Sequence, residues 1–225
     1  MSKTVLILLG APGAGKGTQA VRLAQSLSLP HISTGDLFRA NLAGGTDLGE
    51  RARSFMDQGE LVPDELVLEM LFDRVSQEDC EAGYLLDGFP RTTAQAVALE
   101  ARLEKIVPTV IDIQVPDSDI EERIVGRRMC KDCGAIYHLT FNAPAQEGTC
   151  NACSGPLYQR KDDTAEVVST RLVEYHQKTA PLISFYSERG GVSAVDGRLK
   201  PDLVFEACIA SIQGSNQGSG HGVNN

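Results

Sequence analysis

Val5-Leu6-Ile7-Leu8-Leu9 is an unbroken apolar run that ends in glycine. A strand covered on both faces of a parallel sheet has this pattern. Tyr84-Leu85-Leu86, the stretch 110–115 and Val192-Ser193-Ala194-Val195 predict further strands. Lys16 to Leu27 reads as a helix, and helical patterns recur around 36–43, 47–58, 64–78, 92–106 and 117–128. Strands alternating with helices predict an α/β fold with a mainly parallel central sheet. The longest helical pattern covers 164–188, with Val168, Leu172, Tyr175, Leu182, Phe185 and Tyr186 near one face. Asp163 or Thr164 can cap it, and Pro181 should kink it. Between Arg127 and Asp163 the texture changes to scattered glycines and paired cysteines, which suggests a small inserted unit. The tail from Gly214 is rich in Gly, Ser and Asn and predicts disorder over 214–225.

Composition narrows the function class. At 42% hydrophobic and 23% charged over 225 residues, the chain reads as an ordinary globular protein that can bury a core. No apolar run approaches the ~18 residues of a membrane span. The N-terminus lacks a small-residue cleavage site, which points to a cytoplasmic protein with no membrane partner. The net charge of −9 argues against a nucleic-acid-coating surface. A phosphate site needs only a few local cations, and 14 of the 21 basic residues are Arg, the side chain that grips phosphate two-pronged.

Gly10-Ala11-Pro12-Gly13-Ala14-Gly15-Lys16-Gly17-Thr18 follows the first strand and opens the first helix. Such a glycine-rich turn points successive N–H groups into an anion nest, and the helix terminus adds partial positive charge. Lys16 brings a full charge to the β- and γ-phosphates. The strict phosphate-loop pattern has Ser or Thr directly after the Lys, whereas here Gly17 intervenes before Thr18.

Cys130 and Cys133 form one C-x2-C pair, and Cys150 and Cys153 another after sixteen residues. Two such turns can close a tetrahedron around Zn²⁺, and four thiolates leave no open position, so the metal is expected to be structural. Gly134 and Gly155, with Ser154 between the second pair and its glycine, fit tight knuckles. Two disulfides or free thiols are the alternatives.

GAPGAGKGTQA, HISTGDLFRA, GELVPDE, LLDGFPRTTAQA, RIVGRR, RKDD and RLVEYHQKTAPLI occur in this order. Together they closely resemble the adenylate kinases, over residues 4 to about 212. The 127–163 insertion makes the chain similar to the long bacterial form, whose lid carries zinc. The resemblance implies a P-loop NTPase core (1–32, 63–126 and 164–213), a helical monophosphate-binding insertion (33–62), a zinc-bearing lid (127–163) and the tail. It implies the reaction MgATP + AMP ⇌ 2 ADP, with ATP, AMP and ADP as partners, Mg²⁺ and Zn²⁺ as metals, and a monomer. Another donor such as GTP is the nearest rival.

The resemblance also distributes roles. Lys16, Arg91, Arg127, Arg160 and Arg171 are the expected catalytic cations. Gly13, Ala14, Gly15, Lys16, Gly17, Thr18, Arg123, Arg127, Ile136, Tyr137 and a carbonyl near Gly197 would bind ATP. That carbonyl belongs to Leu199, or to Lys200 if the alignment follows Pro201. Thr34, Arg39, Glu60, Leu61, Val62, Gly88, Phe89, Pro90, Arg91, Gln95, Arg160 and Arg171 would bind AMP, and Asp87 would hold Mg²⁺ through water. Several of these residues have plainer readings. Arg123 and Arg127 are four apart and could pair with Glu121 and Glu122 on a helix surface. Asp87-Gly88 could be a turn, Thr92-x-x-Gln95 a capping box, and Tyr137 lid core. Asp162 and Asp163 could pair with the arginines or cap the long helix. His31, His138, His176 and His221 have no metal or triad spacing, so no role is assigned to them.

Overall fold

The computed structural model describes residues 3–218. Its central sheet joins β1 (Thr4–Leu9), β2 (His31–Ser33), β3 (Gly83–Asp87), β4 (Thr109–Gln114) and β8 (Val192–Asp196) in the order β2-β3-β1-β4-β8. Every pairing is parallel. Along β1, Val5, Ile7 and Leu9 enter one apolar cluster while Leu6 and Leu8 enter another. Successive strand residues point to opposite faces, so an unbroken apolar run feeds both. The first cluster lies under α2 (Thr34–Ala43), α3 (Asp47–Gln58), α4 (Asp64–Val75), α5 (Thr93–Leu103) and α8 (Pro181–Ser187). The second packs α1 (Lys16–Leu27), α6 (Asp117–Val125), α7 (Ala165–Glu174) and α9 (Pro201–Gly218) on the other face.

Strand order reverses at β1, with β3 on one side and β4 on the other. Ligands of open α/β sheets bind beyond the carboxyl ends of the strands at such a switch point. The Gly10–Thr18 turn stands there. Residues 127–163 form a separate small sheet of β6 (Ile136–His138), β5 (Arg127–Cys130) and β7 (Leu157–Tyr158), paired antiparallel.

Several sequence expectations change. The helix predicted over 117–128 ends at Val125, and Arg127 opens β5, so Arg123 and Arg127 do not share a helix. The pattern over 164–188 is two helices joined by a π turn at Tyr175–Thr179, where the Ala180 N–H donates to the Tyr175 carbonyl at 2.8 Å. Pro181 then starts α8, where its missing N–H is not needed. Thr164, not Asp163, caps α7 by accepting from the Val167 N–H. Helix α9 was not anticipated, and it runs through Gly218, so 214–218 is helical despite its loop-like composition. Val204, Cys208 and Ile212 dock this helix on the core, and propagation beyond a docked face adds one bond per residue. The rest of the tail, 219–225, lies outside the described residues. Among the described residues no helix is long and apolar enough to cross a membrane.

Leu85 is 0% exposed in the middle of β3, whereas Val97 on α5 is 52% exposed. Leu85→Ala should cost about 2–5 kcal/mol by leaving a cavity. Val97→Ala should stay within about 0.5 kcal/mol, and urea unfolding reads both.

Candidate active site

Gly10, Gly13 and Gly15 take φ of +137°, +80° and +97°. Side chains rarely adopt these values, and a Cβ on Gly13 would also press to 2.8 Å from Ile124. The turn therefore needs glycine to curl its N–H groups inward. Gly17 has a different reason. A Cβ there would lie 3.4 Å from Asp87 Oδ2 and 3.6 Å from Ile136 Cδ1. The departure from the strict pattern sits where β3 and the 127–163 unit both close on the helix start.

Lys16 Nζ donates to the carbonyls of Gly10 (2.6 Å) and Ala11 (2.8 Å). Burial lowers its pKa to about 8, against the opposing pull of Asp87. A buried ammonium held only by neutral carbonyls is under-compensated and favours an incoming anion.

A cavity of about 870 Å³ extends from this turn across the carboxyl edge of the sheet, between α2–α3 and the 127–163 unit. All the residues nominated from sequence for ATP, AMP and Mg²⁺ line it except Phe89, which is 0% exposed in the first core cluster. Phe89 anchors the β3 loop from behind, so only its main chain is available to a ligand. Arg39, Arg91, Arg123, Arg127, Arg160 and Arg171 line one cavity with Lys16 although they come from five separate stretches of chain. Burial lowers the pKa of Arg160 to about 10 and that of Arg171 to about 9, and neighbouring guanidiniums push the same way. Burial likewise lowers Arg91. Crowded cations out of water mark a place built for polyanions.

Carboxylates meet part of that demand. Asp36 Oδ1 accepts from Arg39 at 2.6 Å and from Arg160 at 3.3 Å. Burial pushes Asp36 upward, but the two arginines outweigh it and hold its pKa below the usual value. Asp163 pairs with Arg127 and Asp162 with Arg171, which settles their role as arginine partners. Arg123 donates to the Gly197 carbonyl (2.9 Å) and Arg91 Nε to the Gly88 carbonyl (2.8 Å). The Asp36–Arg160 contact ties α2 to the far side of the cavity.

Other residues are pinned by their surroundings. Thr34 is buried and donates to the Gly88 carbonyl at 2.8 Å. Gln95 is also buried. Its Oε1 accepts from Arg91 N (2.8 Å) and its Nε2 donates to Asp64 (2.7 Å), which leaves one N–H and one lone pair. The Thr92 hydroxyl does cap α5, but Gln95 reaches the Arg91 N–H instead of closing a capping box. Tyr137 packs into the small core of the 127–163 unit, with its hydroxyl 3.4 Å from Cys150 Sγ and 2.8 Å from Asn151 N.

Sequence reasoning passed over His31, Asp36, Phe141 and Asn142, all of which line the cavity. His31 Nε2 lies 3.3 Å from Asp87 Oδ2. Parallel pairing of β2 with β3 makes this contact, and no local spacing announces it. The D-x-x-R spacing of Asp36 and Arg39 was the one visible signal, an i,i+3 helical pair.

The four sulfurs of Cys130, Cys133, Cys150 and Cys153 lie within 4.8 Å of one another. Cys130 and Cys153 are 3.4 Å apart and Cys133 and Cys150 are 3.6 Å apart. A disulfide needs about 2.05 Å, which removes that alternative. Four Zn–S bonds of about 2.3 Å in a tetrahedron put sulfurs about 3.8 Å apart, so the donor set fits a tetrahedral thiophilic ion. Gly134 (φ +72°) and Ser154 (φ +62°) take the left-handed positions of the two knuckles. Gly155 serves differently, since a Cβ there would crowd Asp132 and approach Cys130 Sγ to 3.0 Å.

The adenylate kinase family model matches residues 8–191. The chain belongs to the adenylate kinase family. It is 51% identical to the adenylate kinase of Agathobacter rectalis over 207 residues, covering 91% of this chain and 97% of that one. It is 48% identical to that of Streptomyces griseus over 217 residues (95% and 99%) and 54% identical to that of Bacillus pumilus over 195 residues (85% and 90%). Membership in that family makes it a nucleoside-monophosphate kinase that transfers a phosphoryl group between ATP and AMP, on a P-loop core.

The Lys16 value gives a pH test. The unfolded chain keeps this proton to about 10.5 and the folded one to about 8. Between those values the unfolded state binds more protons, so the penalty of the buried charge eases as pH rises. Bound triphosphate favours the charged form, so ATP affinity should begin to fall above pH about 8. Dissociation constants measured from pH 6.5 to 9.5 should bend near 8 in the parent and not in Lys16→Met.

Proposed function

We propose that the chain catalyses MgATP + AMP ⇌ 2 ADP in this single cavity, by in-line transfer between two nucleotides enclosed under a lid. The observation that carries this reading is the convergence of Lys16 and six arginines on one space beside an anion nest. Phosphoryl transfer asks for position and charge neutralisation more than for covalent chemistry. In this reading Gly13 to Thr18 cradle the ATP phosphates, and Arg123 and Arg127 flank them from the lid hinge. Ile136 and the main chain at Tyr137 cover the nucleotide. Thr34, Arg39, the Glu60–Val62 stretch, Gly88 to Arg91 and Gln95 hold AMP, whose phosphate draws Arg39, Arg160 and Arg171 away from Asp36 and Asp162. The remaining N–H and lone pair of Gln95 suit the donor and acceptor edge of adenine.

The donor base is assigned to the Leu199 carbonyl. Lys200's carbonyl already accepts from the Val204 N–H at 3.1 Å as α9 begins. Asp87 and Thr18 would hold Mg²⁺ through water, an ion that supplies charge neutralisation across the phosphates. The partly buried Asp87 carboxylate, beside the nest and near Lys16, fits that demand. The four thiolates would hold structural Zn²⁺, a substitute for a core that three small strands cannot build alone. The 33–62 and 127–163 units act as the monophosphate-binding and lid subdomains around the core. We read the chain as a monomer, as the family resemblance implies. The net charge of −9 argues against a nucleic-acid-coating surface, and we read the chain as a cytoplasmic enzyme without nucleic-acid or membrane partners.

ADP formation from ATP plus AMP tests the function directly, and no ADP from that pair would overturn it. Lys16→Met should lower kcat by roughly 10²–10³-fold with an unchanged circular dichroism spectrum. GTP in place of ATP should be the poorer donor. For the metal, the purified protein should carry one zinc per chain. Chelation or Cys150→Ser should lower Tm and speed hydrogen exchange in 127–163 while leaving 10–18 protected. A metal count of zero would remove the zinc assignment.

A further inference from the structure

We propose that Gln19 is a positioning residue for the donor base, acting through the turn that carries the Leu199 carbonyl. The proposal rests on the donor-base reading above. Gln19 lies one residue after Thr18 in α1 and is 3% exposed. Its Nε2 donates to the Pro201 carbonyl at 2.9 Å, across 182 positions of chain. The amide thus joins the helix that opens at the phosphate nest to the turn at 196–201.

Carbonyl by carbonyl, that turn is nearly used up. Asp196's carbonyl faces Leu199 N at 3.5 Å, Gly197's accepts from Arg123 at 2.9 Å, Lys200's from Val204 N at 3.1 Å and Pro201's from Gln19. The carbonyls of Arg198 and Leu199 have no such bond among the described residues. The Arg198 side chain and N–H both turn back to the Asp196 carboxylate at 2.9–3.0 Å, and the residue is exposed. At its other end the turn is pressed onto the core, where a Cβ on Gly197 would lie 2.7 Å from Ile113 and Val115 and 3.1 Å from the Ala14 carbonyl. Gly197 therefore sets the depth of the turn, and Gln19 sets its register along α1. The other polar contacts on that side belong to Arg22, which is exposed to solvent at its Asp202 pair (2.8 Å) and lies over the Phe205 ring, further along α9.

The amide is present for its N–H. Gln19 Oε1 is buried with no partner. An unsatisfied buried acceptor costs stability, so packing alone would favour an apolar side chain of the same size. A fixed carbonyl accepts from the 6-amino group of adenine and repels the 6-oxo group of guanine. Discrimination at the base therefore depends on how firmly Gln19 holds the turn, while the phosphates remain with the nest.

The test compares kcat/KM for ATP and for purine riboside triphosphate, which lacks the 6-amino group, with AMP as acceptor. The parent should prefer ATP by about tenfold, the worth of one well-placed hydrogen bond. Gln19→Leu should reduce the preference to about twofold or less through KM for ATP. KM for AMP and inhibition by inorganic tripolyphosphate should not change. Gln19→Met, of similar length, gives the same comparison if the leucine variant fails to fold. An undiminished preference in the variant would overturn the proposal. So would an equal loss with both donors together with weakened tripolyphosphate inhibition, since that outcome makes Gln19 a support of the nest. A parent that does not distinguish the two donors would overturn the base-carbonyl reading and this proposal with it.

Discussion

The rest of the structure answers one electrostatic constraint, the gathering of like-charged side chains where water is scarce. Lys16 and six arginines line a single cavity, and burial weakens the proton hold of Lys16, Arg91, Arg160 and Arg171. Such an arrangement is stable only with counter-charge close by. Asp36, Asp162 and Asp163 supply it within the chain, each on a guanidinium. Phosphate oxygens of bound nucleotides offer more charge and better two-pronged geometry than these single carboxylates. In the proposed reading, the protein's own carboxylates hold a place that substrate phosphates take.

The fold delivers those cations from separate directions. The parallel sheet ends its strands at one edge, and the reversal of order at β1 opens the crevice in which the nest sits. Arg39 arrives on α2, Arg91 in the loop after β3, Arg123 and Arg127 on either side of the turn into the 127–163 unit, and Arg160 and Arg171 on the way out of it. The small sheet of 127–163 has Cys130, Tyr137 and Cys150 as its buried cluster, with Ala135 and Leu157 packed against it. Four sulfurs gather around one point beside this cluster, where the proposed zinc would cross-link it, and the Tyr137 hydroxyl lies 3.4 Å from one of them. Tyr137 is thereby first a core side chain of the 127–163 unit, whatever its main chain does for a nucleotide.

Legibility followed the range of each interaction. The strands at 5–9, 84–86, 110–115 and 192–195, the first helix, and the helix over 47–58 are close to what the pattern predicts: β1, β3 and β4 are apolar runs buried on both faces, and each of the two helices turns one stripe to the core. The three-residue β2 and the strands of the 127–163 unit carry too few residues for a period to show. The break at 175–179 follows from Pro181, yet its π form depends on how α7 and α8 pack on different clusters. Helix α9 was missed, and its loop-like end continues because the docked part before it is helical.

The sequence by itself determined the local chemistry: a glycine nest ending in Lys16, two cysteine pairs at metal spacing, and an ordered set of motifs shared with one enzyme family. These signals survive in one dimension because neighbouring residues act together within a single turn. Only the tertiary structure decided which partners meet across the chain. It set His31 beside Asp87, Asp36 between two arginines, Asp87 and Ile136 against the missing side chain of Gly17, and Gln19 under the Pro201 carbonyl. Those contacts depend on strand order and helix docking, and no spacing along the chain encodes a distance between residues that only packing brings together.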